Sequence, residues 1–192
     1  MIDPVSHFKK VSQLLISAEV TDEKNSLLTL ENGSLAAVNL ILEEGRKIMI
    51  IGNGGSAAIA THMHNDLCNS VGIQAMTFND SSQLTALSND HGYEQVFERP
   101  IDLWAKTGDL LIAISSSGKS ENILRGVRTA KAKGCDVITL SGFRSDNPLR
   151  QMGSVNFYIA SQSYGEVEVS HLSLTHYLTD CCLKMRTKAG KS

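Results

Sequence analysis

Residues 47–58 read KIMIIGNGGSAA, so that an apolar run, a glycine-rich turn and the beginning of a helical segment follow one another directly. Residues 109–120, DLLIAISSSGKS, repeat this order with serines in the turn. An apolar strand that leads through a tight turn into a helix is the repeating unit of parallel α/β sheets. These two stretches therefore decide the fold class.

Three further β-rich runs occur, and segments of helical length separate the runs from one another; the five runs are 47–51, 73–78, 109–115, 135–141 and 155–160. This alternation predicts a three-layer α/β/α fold with a parallel sheet. Helical spacing predicts one helix from Asp3-Pro4, another over 25–44, and a last one from about 165 to 185. We expect a single domain over 1–192, with an N-terminal helical extension at 1–45 and an α/β core at 46–188.

The composition excludes several classes of protein. The chain has 192 residues, 42% of them hydrophobic, and a net charge of −2 from 18 basic and 20 acidic side chains. Such values are typical of a folded globular domain and exclude collagen-like, disordered and membrane-embedded chains. The basic residues cluster only in the tail, 183–192, so no nucleic-acid partner is expected. No signal sequence or long apolar run is present, which predicts a cytoplasmic protein without a membrane partner. Four cysteines without metal-type spacing are expected to be reduced, namely Cys68, Cys135, Cys181 and Cys182.

The first glycine-rich turn predicts a ligand contact, because glycines let the backbone approach an anionic or polyol group at a helix N-terminus. Residues 52–57 also match G-x-G-x-x-A, the dinucleotide fingerprint. The acidic residue that this fingerprint requires about 20 residues later is met only loosely by Asp80. A nucleotide-binding oxidoreductase is therefore a distant alternative.

The second turn, at residues 115–120, carries four hydroxyl groups and a run of backbone amides, which suits a phosphate monoester. Residues 113–120 are one residue from a Walker A motif, but Ala113 falls in the predicted strand and serines replace the flexible glycines. The alternative is a serine-rich helix start that only caps its helix.

Candidate acid–base groups lie on two predicted helices. His62 and Asp66 are four residues apart on the helix after the first turn, while Glu168 and His176 lie eight apart on the last helix, away from its apolar stripe. Each taken alone could be a solvated side chain. His171 lies on the apolar stripe and is interpreted as a core residue.

Five segments together resemble one known family: GNGGSAAIATHMHNDL (52–67), SNDHGYEQVF (88–97), GDLLIAISSSGKSENIL (108–124), VITLSG (137–142) and HLSLTHYL (171–178). From about residue 30 to 185 the chain resembles sugar-isomerase (SIS) proteins, and within them phosphoheptose isomerases. The resemblance implies a five-stranded parallel sheet of flavodoxin-like order, with N-terminal helices that join those of partner subunits in a homotetramer. It also implies conversion of sedoheptulose 7-phosphate to D-glycero-D-manno-heptose 7-phosphate for bacterial surface polysaccharide.

Site residues follow from the same resemblance. Asp66 would be the catalytic base and His176 the second acid–base group. Zinc, found in some members, would be held by His62, Asp66, Glu168 and His176. We therefore expect these four side chains to meet in space, and two imidazoles with two carboxylates suit zinc or another divalent ion. The implied substrate-binding residues are Asn53, Gly54, Gly55, Ser56, Asn89, Asp90, Ser115, Ser116, Ser117, Ser120 and Glu168.

The chain departs from the family pattern at three places. Asp66 stands where the family has Glu, and Glu168 where it usually has Gln. The segment 164–168 reads YGEVE in place of an Asp-Arg-Ile-Gln pattern, and Ser70 replaces an expected Arg. Two functions therefore remain open at this point: an aldose–ketose isomerase that acts through an enediol, and a non-catalytic SIS protein that binds a phosphosugar or a protein partner in regulation.

Overall fold

A seven-stranded sheet forms the middle layer of the protein, which is described over residues 3–190 in a computed structural model. Strands β1 to β7 cover Glu19–Asp22, Leu27–Leu28, Ile48–Gly52, Ala75–Thr77, Leu110–Ser115, Asp136–Gly142 and Val155–Ile159. Helices α1 to α7 cover Pro4–Ile16, Leu30–Leu42, Gly55–Asp66, Ser81–His91, Glu98–Trp104, Glu121–Ala132 and Tyr164–Lys188. A π-helical turn, Leu67–Val71, and two 3₁₀ turns, Tyr93–Gln95 and Pro148–Gln151, complete the helical structure.

The strand order is β2-β1-β7-β6-β5-β3-β4. Strands β3 to β7 pair in parallel in the flavodoxin-like order, which confirms the predicted three-layer α/β/α fold. Alternate residues of β3 enter different cores: Ile48 and Ile50 pack with α2, α3 and α7, whereas Met49 and Ile51 pack with α5 and α6. Burial on both faces explains why these strands are continuous apolar runs.

Residues before the first parallel strand differ from the prediction. A helix was expected over 25–44, but β1 and β2 form an antiparallel hairpin that extends the sheet beyond β7, and α2 begins only at Leu30. The Thr29 hydroxyl accepts a hydrogen bond from the Asn32 amide over 3.1 Å and so fixes the start of α2. The N-terminal extension is therefore partly strand, and the sheet has seven strands of mixed direction where five parallel ones were predicted. The predicted division at residue 45 stays a prediction.

Gly33 explains how α2 can lie on this hairpin. A Cβ at this position would be 2.3 Å from Val20 Cγ1, and Val20 is fully buried in β1. Only glycine permits this approach, which is why an apparent interruption of the helical pattern is part of the packing.

The outer helices agree with the predictions. Asp3 caps α1 by accepting a hydrogen bond from the Ser6 amide over 2.8 Å, with Pro4 at the first helical position. Helix α7 is the long last helix and packs on α1, α2 and α3. No helix within residues 3–190 has the length and apolar character needed to cross a membrane; the last two residues of the predicted basic tail lie outside this range.

Candidate active site

A small pocket forms where the two turns that were predicted to bind a ligand meet. Because β3 and β5 are adjacent parallel strands, their carboxyl ends bring the glycine-rich turn and the serine loop side by side. The pocket, called the serine pocket below, has a volume of about 120 Å³. Its lining residues are Asn53, Ser56, Ser115, Ser116, Ser117, Ser120, Tyr164 and Glu168.

Two uncapped helix N-termini point into this region. Helix α3 begins after Gly54 and α6 after Ser120, and neither helix has a side-chain capping hydrogen bond. The first two amides of each helix have no partner within the described residues and can bind a ligand, whereas the amides of Ala57 and Ile123 donate to backbone carbonyls. The helix dipoles favour a negative ligand. Ser120 occupies the capping position without capping, so the interpretation of the serines as caps alone is not supported.

The serine hydroxyls differ in their partners. Ser115 Oγ accepts a hydrogen bond from the Gly118 amide over 3.2 Å, and Ser117 Oγ accepts one from the Lys119 amide over 3.3 Å. Ser116 Oγ is buried and has no partner within the described residues. Since a buried hydroxyl is normally hydrogen-bonded, the unpartnered Ser116 hydroxyl indicates a place for a ligand oxygen.

The structure does not support the two nucleotide-binding interpretations, the Walker A motif and the dinucleotide fingerprint. Ala113 is buried inside β5, so no Walker-type loop begins there. The Asp80 carboxylate caps α4 by accepting hydrogen bonds from the amides of Ser82 and Gln83, over 3.0 and 3.1 Å. Hydrogen bonds led by that of Ser82 hold the pKa of Asp80 below its usual value. Asp80 is thus engaged in the protein and not placed as a ribose ligand.

Asn53 is fixed by two residues that sequence reasoning missed. Its amide pairs reciprocally with that of the buried Asn122, with nitrogen–oxygen distances of 2.9 and 3.0 Å. The Tyr93 hydroxyl also donates to Asn53 Oδ1 over 2.9 Å. The one sequence signal for Asn122 was its position directly after the serine loop, at the start of α6. Nothing in the sequence pattern indicated Tyr93.

Four predicted substrate-binding residues lie outside the pocket lining. Gly54 and Gly55 are exposed at the start of α3. Asn89 and Asp90 are exposed in the last turn of α4, where the Asn89 amide donates to Asp90 Oδ1 over 2.9 Å. Their contact with substrate stays a prediction.

A second group of polar side chains lies further along α3 and α7. Asp66 Oδ2 is 3.4 Å from His62 Nε2 and 3.5 Å from His176 Nδ1, and the two imidazole rings are 4.7 Å apart. These three residues are called the His–Asp–His cluster. The structure places Glu168 elsewhere, with its carboxylate beside Gly55, where a Cβ would be 2.3 Å from Glu168 Oε2.

The donor set of the cluster fits a divalent metal ion. One ligand atom from each residue lies within 4.8 Å of the others. Two ligand atoms that each lie about 2.1 Å from a tetrahedral ion are roughly 3.4 Å from one another. The distances from Asp66 Oδ2 to the nearest nitrogens of His62 and His176, 3.4 and 3.5 Å, agree with this value. Nitrogen and oxygen donors in this combination are those of catalytic zinc sites.

The pocket and the cluster are held at a fixed separation by the same two helices. Gly55 lies beside Glu168 at one end, and Asp66 lies beside His176 at the other, so α3 and α7 run in the same direction. Glu168 and His176 are eight residues apart, which corresponds to about 12 Å along an α-helix. The site is therefore elongated, with a serine end and an imidazole end.

His171 lies in the core, as its place on the apolar stripe indicated. It is fully buried, and its Nε2 donates a hydrogen bond to the Ser141 carbonyl over 3.2 Å. Burial lowers the pKa of His171 to about 4, so the ring is neutral near pH 7. It takes no part in the cluster.

Comparison with known proteins gives consistent matches. The SIS domain model matches residues 7–142. The phosphoheptose isomerase of Campylobacter concisus is 37% identical over 143 residues, which cover 70% of this chain and 74% of that protein. The structures of phosphoheptose isomerases from Neisseria gonorrhoeae and Francisella tularensis superpose with TM-scores of 0.79 and 0.80, at 28% and 27% identity, over 93% of this chain and 95% of each of those chains.

Proposed function

The chain belongs to the SIS domain family, in the group of phosphoheptose isomerases, and we propose that the serine pocket and the His–Asp–His cluster are the two ends of its active site. It is an intramolecular aldose–ketose isomerase, which interconverts sedoheptulose 7-phosphate and D-glycero-D-manno-heptose 7-phosphate. The observation that carries the assignment of the two ends is their separation along α3 and α7.

The separation suits a seven-carbon phosphosugar. From phosphorus to C1, an extended heptose 7-phosphate has eight bonds, and zigzag single bonds of about 1.5 Å span roughly 10 Å. A phosphate in the serine pocket would therefore bring C1 and C2 close to the His–Asp–His cluster. A shorter sugar would leave its reacting carbons short of the imidazoles.

At the serine end, the protein would bind the phosphate without a cationic side chain. No Lys or Arg is among the residues that line the pocket. The hydroxyls and the free amides of α3 and α6 would supply the hydrogen bonds, and the helix dipoles would stabilise the charge. Because the Glu168 carboxylate would repel a phosphate, we place Glu168 against hydroxyl groups of the sugar chain.

At the imidazole end, Asp66 suits the role of the base. In the ketose-to-aldose direction its carboxylate would remove a proton from C1 to give the enediol and return it to C2. His176 would move the accompanying proton from O1 to O2. Groups positioned for such transfers typically contribute about 10²–10⁴ in rate.

We propose that His62, Asp66 and His176 can hold a divalent metal, most simply zinc, and that Glu168 is the more distant of the four predicted ligands. Such an ion would polarise the sugar carbonyl and stabilise the negative charge that develops on its oxygen. Asp66 Oδ2 lies at similar distances from both imidazoles, which supports a shared ligand position.

We also propose that the chain forms a homotetramer. Helices α1, α2 and α7 surround an apolar groove of about 510 Å³ that includes Leu15, Leu30 and Leu174. Large apolar side chains on the same helices are exposed, among them Phe8 and Tyr177. Faces of this kind are normally covered by another subunit.

We propose that the protein acts in the cytoplasm. Its four cysteines are free thiols, which supports a reducing compartment.

A turnover assay tests the proposal. The purified chain is offered sedoheptulose 7-phosphate, fructose 6-phosphate and ribulose 5-phosphate, each with and without a chelator. We expect turnover of the seven-carbon ketose and weaker turnover as the chain shortens, with a loss of rate on chelation. Binding of sedoheptulose 7-phosphate without turnover under any metal condition would instead support a non-catalytic phosphosugar sensor.

A further inference from the structure

Phe143, which directly follows β6, has a left-handed backbone conformation with a φ of 58°. This conformation is strained for a bulky residue, and such strain is concentrated at functional sites. Two hydrogen bonds hold it: the Phe143 amide donates to the Ser161 carbonyl, and the Tyr158 hydroxyl donates to the Phe143 carbonyl, each over 2.9 Å. The fold therefore fixes the direction of this ring against the preference of its backbone.

The Phe143 ring contacts Tyr164 at the edge of the serine pocket. The two ring centroids are 4.8 Å apart and the ring planes meet at 78°, an edge-to-face contact. Tyr164 is the first residue of α7, is 61% exposed, and is the aromatic residue among those that line the pocket. Its hydroxyl has no hydrogen-bond partner within residues 3–190. The exposed ring is thus held in place by a neighbour while its other face and its hydroxyl stay free.

A second contact fixes the backbone beneath this ring. The Glu166 carboxylate is buried and accepts hydrogen bonds from Lys10 Nζ over 2.7 Å and from Ser161 Oγ over 2.5 Å. This contact ties the first turn of α7 to α1 and to the turn that also holds Phe143. The position of Tyr164 is therefore determined from two sides.

We propose that Tyr164 is a specificity-determining residue that contacts the sugar carbons next to the phosphoester, and that Phe143 is its positioning residue. The inference rests on the proposed function, because it takes the serine pocket as the phosphate end of the site. The free face of the ring can pack on C–H groups of the sugar chain, and the hydroxyl can bond to a sugar hydroxyl. Inorganic phosphate offers neither feature. Tyr164 therefore raises the affinity for phosphosugars without raising the affinity for free phosphate.

The first test replaces Tyr164 itself. In Tyr164→Ala we expect KM for sedoheptulose 7-phosphate to rise about tenfold, the scale of one lost aromatic contact. We expect kcat to stay within about twofold, because the contact is equal in ground and transition states. Inhibition of Tyr164→Ala by inorganic phosphate should equal that of wild type. Tyr164→Phe keeps the ring, so its KM should rise less than that of Tyr164→Ala. An unchanged KM in Tyr164→Ala, or a parallel loss of phosphate inhibition, would overturn the proposal.

The second test replaces the positioning residue. Phe143→Gly removes the ring and suits the left-handed backbone, so relief of strain offsets part of the packing that the half-buried ring makes with the core. We expect a protein that still folds and has a raised KM. Trp104→Ala is the control, since Trp104 is half-exposed on α5 outside the serine pocket; its KM should equal wild type. A wild-type KM in Phe143→Gly would show that Phe143 does not position Tyr164.

Calorimetric affinities for sedoheptulose 7-phosphate separate this inference from the proposed function. If the wild type binds the sugar without turning it over, the proposed function fails while the Tyr164 variants still report on the contact. In that case a tenfold weaker affinity in Tyr164→Ala supports the inference, and an unchanged affinity overturns it.

Discussion

Among the residues that line the serine pocket, Ser116 gives the clearest evidence for a bound ligand, because its hydroxyl is buried without a hydrogen-bond partner. In Ser116→Ala we expect the unliganded protein to be as stable as wild type or slightly more so, since no hydrogen bond is lost. Affinity for sedoheptulose 7-phosphate should fall about tenfold, the value of one hydrogen bond to a charged group. Calorimetric titration and chemical denaturation measure the two quantities.

Ser34→Ala provides a matched control. Ser34 Oγ is also buried without a partner, but it lies on α2, beside the apolar groove. This variant should repeat the stability effect and leave the affinity unchanged. Equal affinities of wild type and Ser116→Ala would remove Ser116 from the phosphate site.

His171 makes stability depend on pH. Its pKa is about 4 in the folded protein, below the ordinary value of 6.5, so the unfolded chain binds more protons between these values. Stability contributed by the neutral ring is therefore fully present above pH 6.5 and is lost as the pH falls towards 4. The loss should amount to roughly 3 kcal/mol at full protonation.

Denaturation of wild type and His171→Gln from pH 7 to 4 measures this contribution. Glutamine does not titrate and can still donate to the Ser141 carbonyl, so the variant should lose less stability over the interval. Parallel pH profiles would contradict the assignment of a buried neutral imidazole.

At the scale of elements, Gly33 decides how α2 and β1 pack. Gly33→Ala would place a Cβ against the buried Val20, and we expect a loss of roughly 1–3 kcal/mol in unfolding free energy from overpacking. Gly165→Ala is the matched control, because nothing lies within 4 Å of that position in α7. It should raise stability by about 0.5–1 kcal/mol. Equal effects of both substitutions would contradict the close packing of α2 on the hairpin.

The elements show why the sequence predicted some features and not others. Strands β3, β5 and β6 were predictable because burial on both faces gives continuous apolar runs. The hairpin was missed because β1 and β2 have only four and two residues and lie beside a stretch with helical spacing. The hydrogen bond from Tyr93 to Asn53 joins residues 40 apart, and no local pattern encodes it.

The site shows the same limit. Spacing predicted that His62 and Asp66 would lie together, because residues four apart share a helix face. That His176 would join them was implied by the resemblance to phosphoheptose isomerases. The same resemblance grouped Glu168 with these three residues as a fourth ligand. Glu168 and His176 are eight residues apart, which is about 12 Å along the axis of α7. Only the packing of α7 on α3 shows that Glu168 lies beside Gly55 and His176 beside Asp66.

The exposed apolar faces of α1, α2 and α7 predict that the chain associates with further copies of itself. Sedimentation of the purified chain should give a species of about four chain masses, with the chain at 20.8 kDa. Replacing Phe8 and Tyr177 by Asp should shift the species towards smaller forms, because both side chains are exposed on these helices. A stable wild-type monomer would contradict the tetramer.

We expect this chain to move a proton between C1 and C2 of a phosphosugar at its His–Asp–His cluster. The most direct measurement follows sedoheptulose 7-phosphate by NMR in deuterated water with wild type and Asp66→Asn. Wild type should form the aldose and place deuterium at C1 or C2. Asp66→Asn should bind the sugar with similar affinity and lose at least about 10² in the exchange rate. Wild type that binds the sugar without exchange, or Asp66→Asn that exchanges at the wild-type rate, would contradict proton transfer by Asp66.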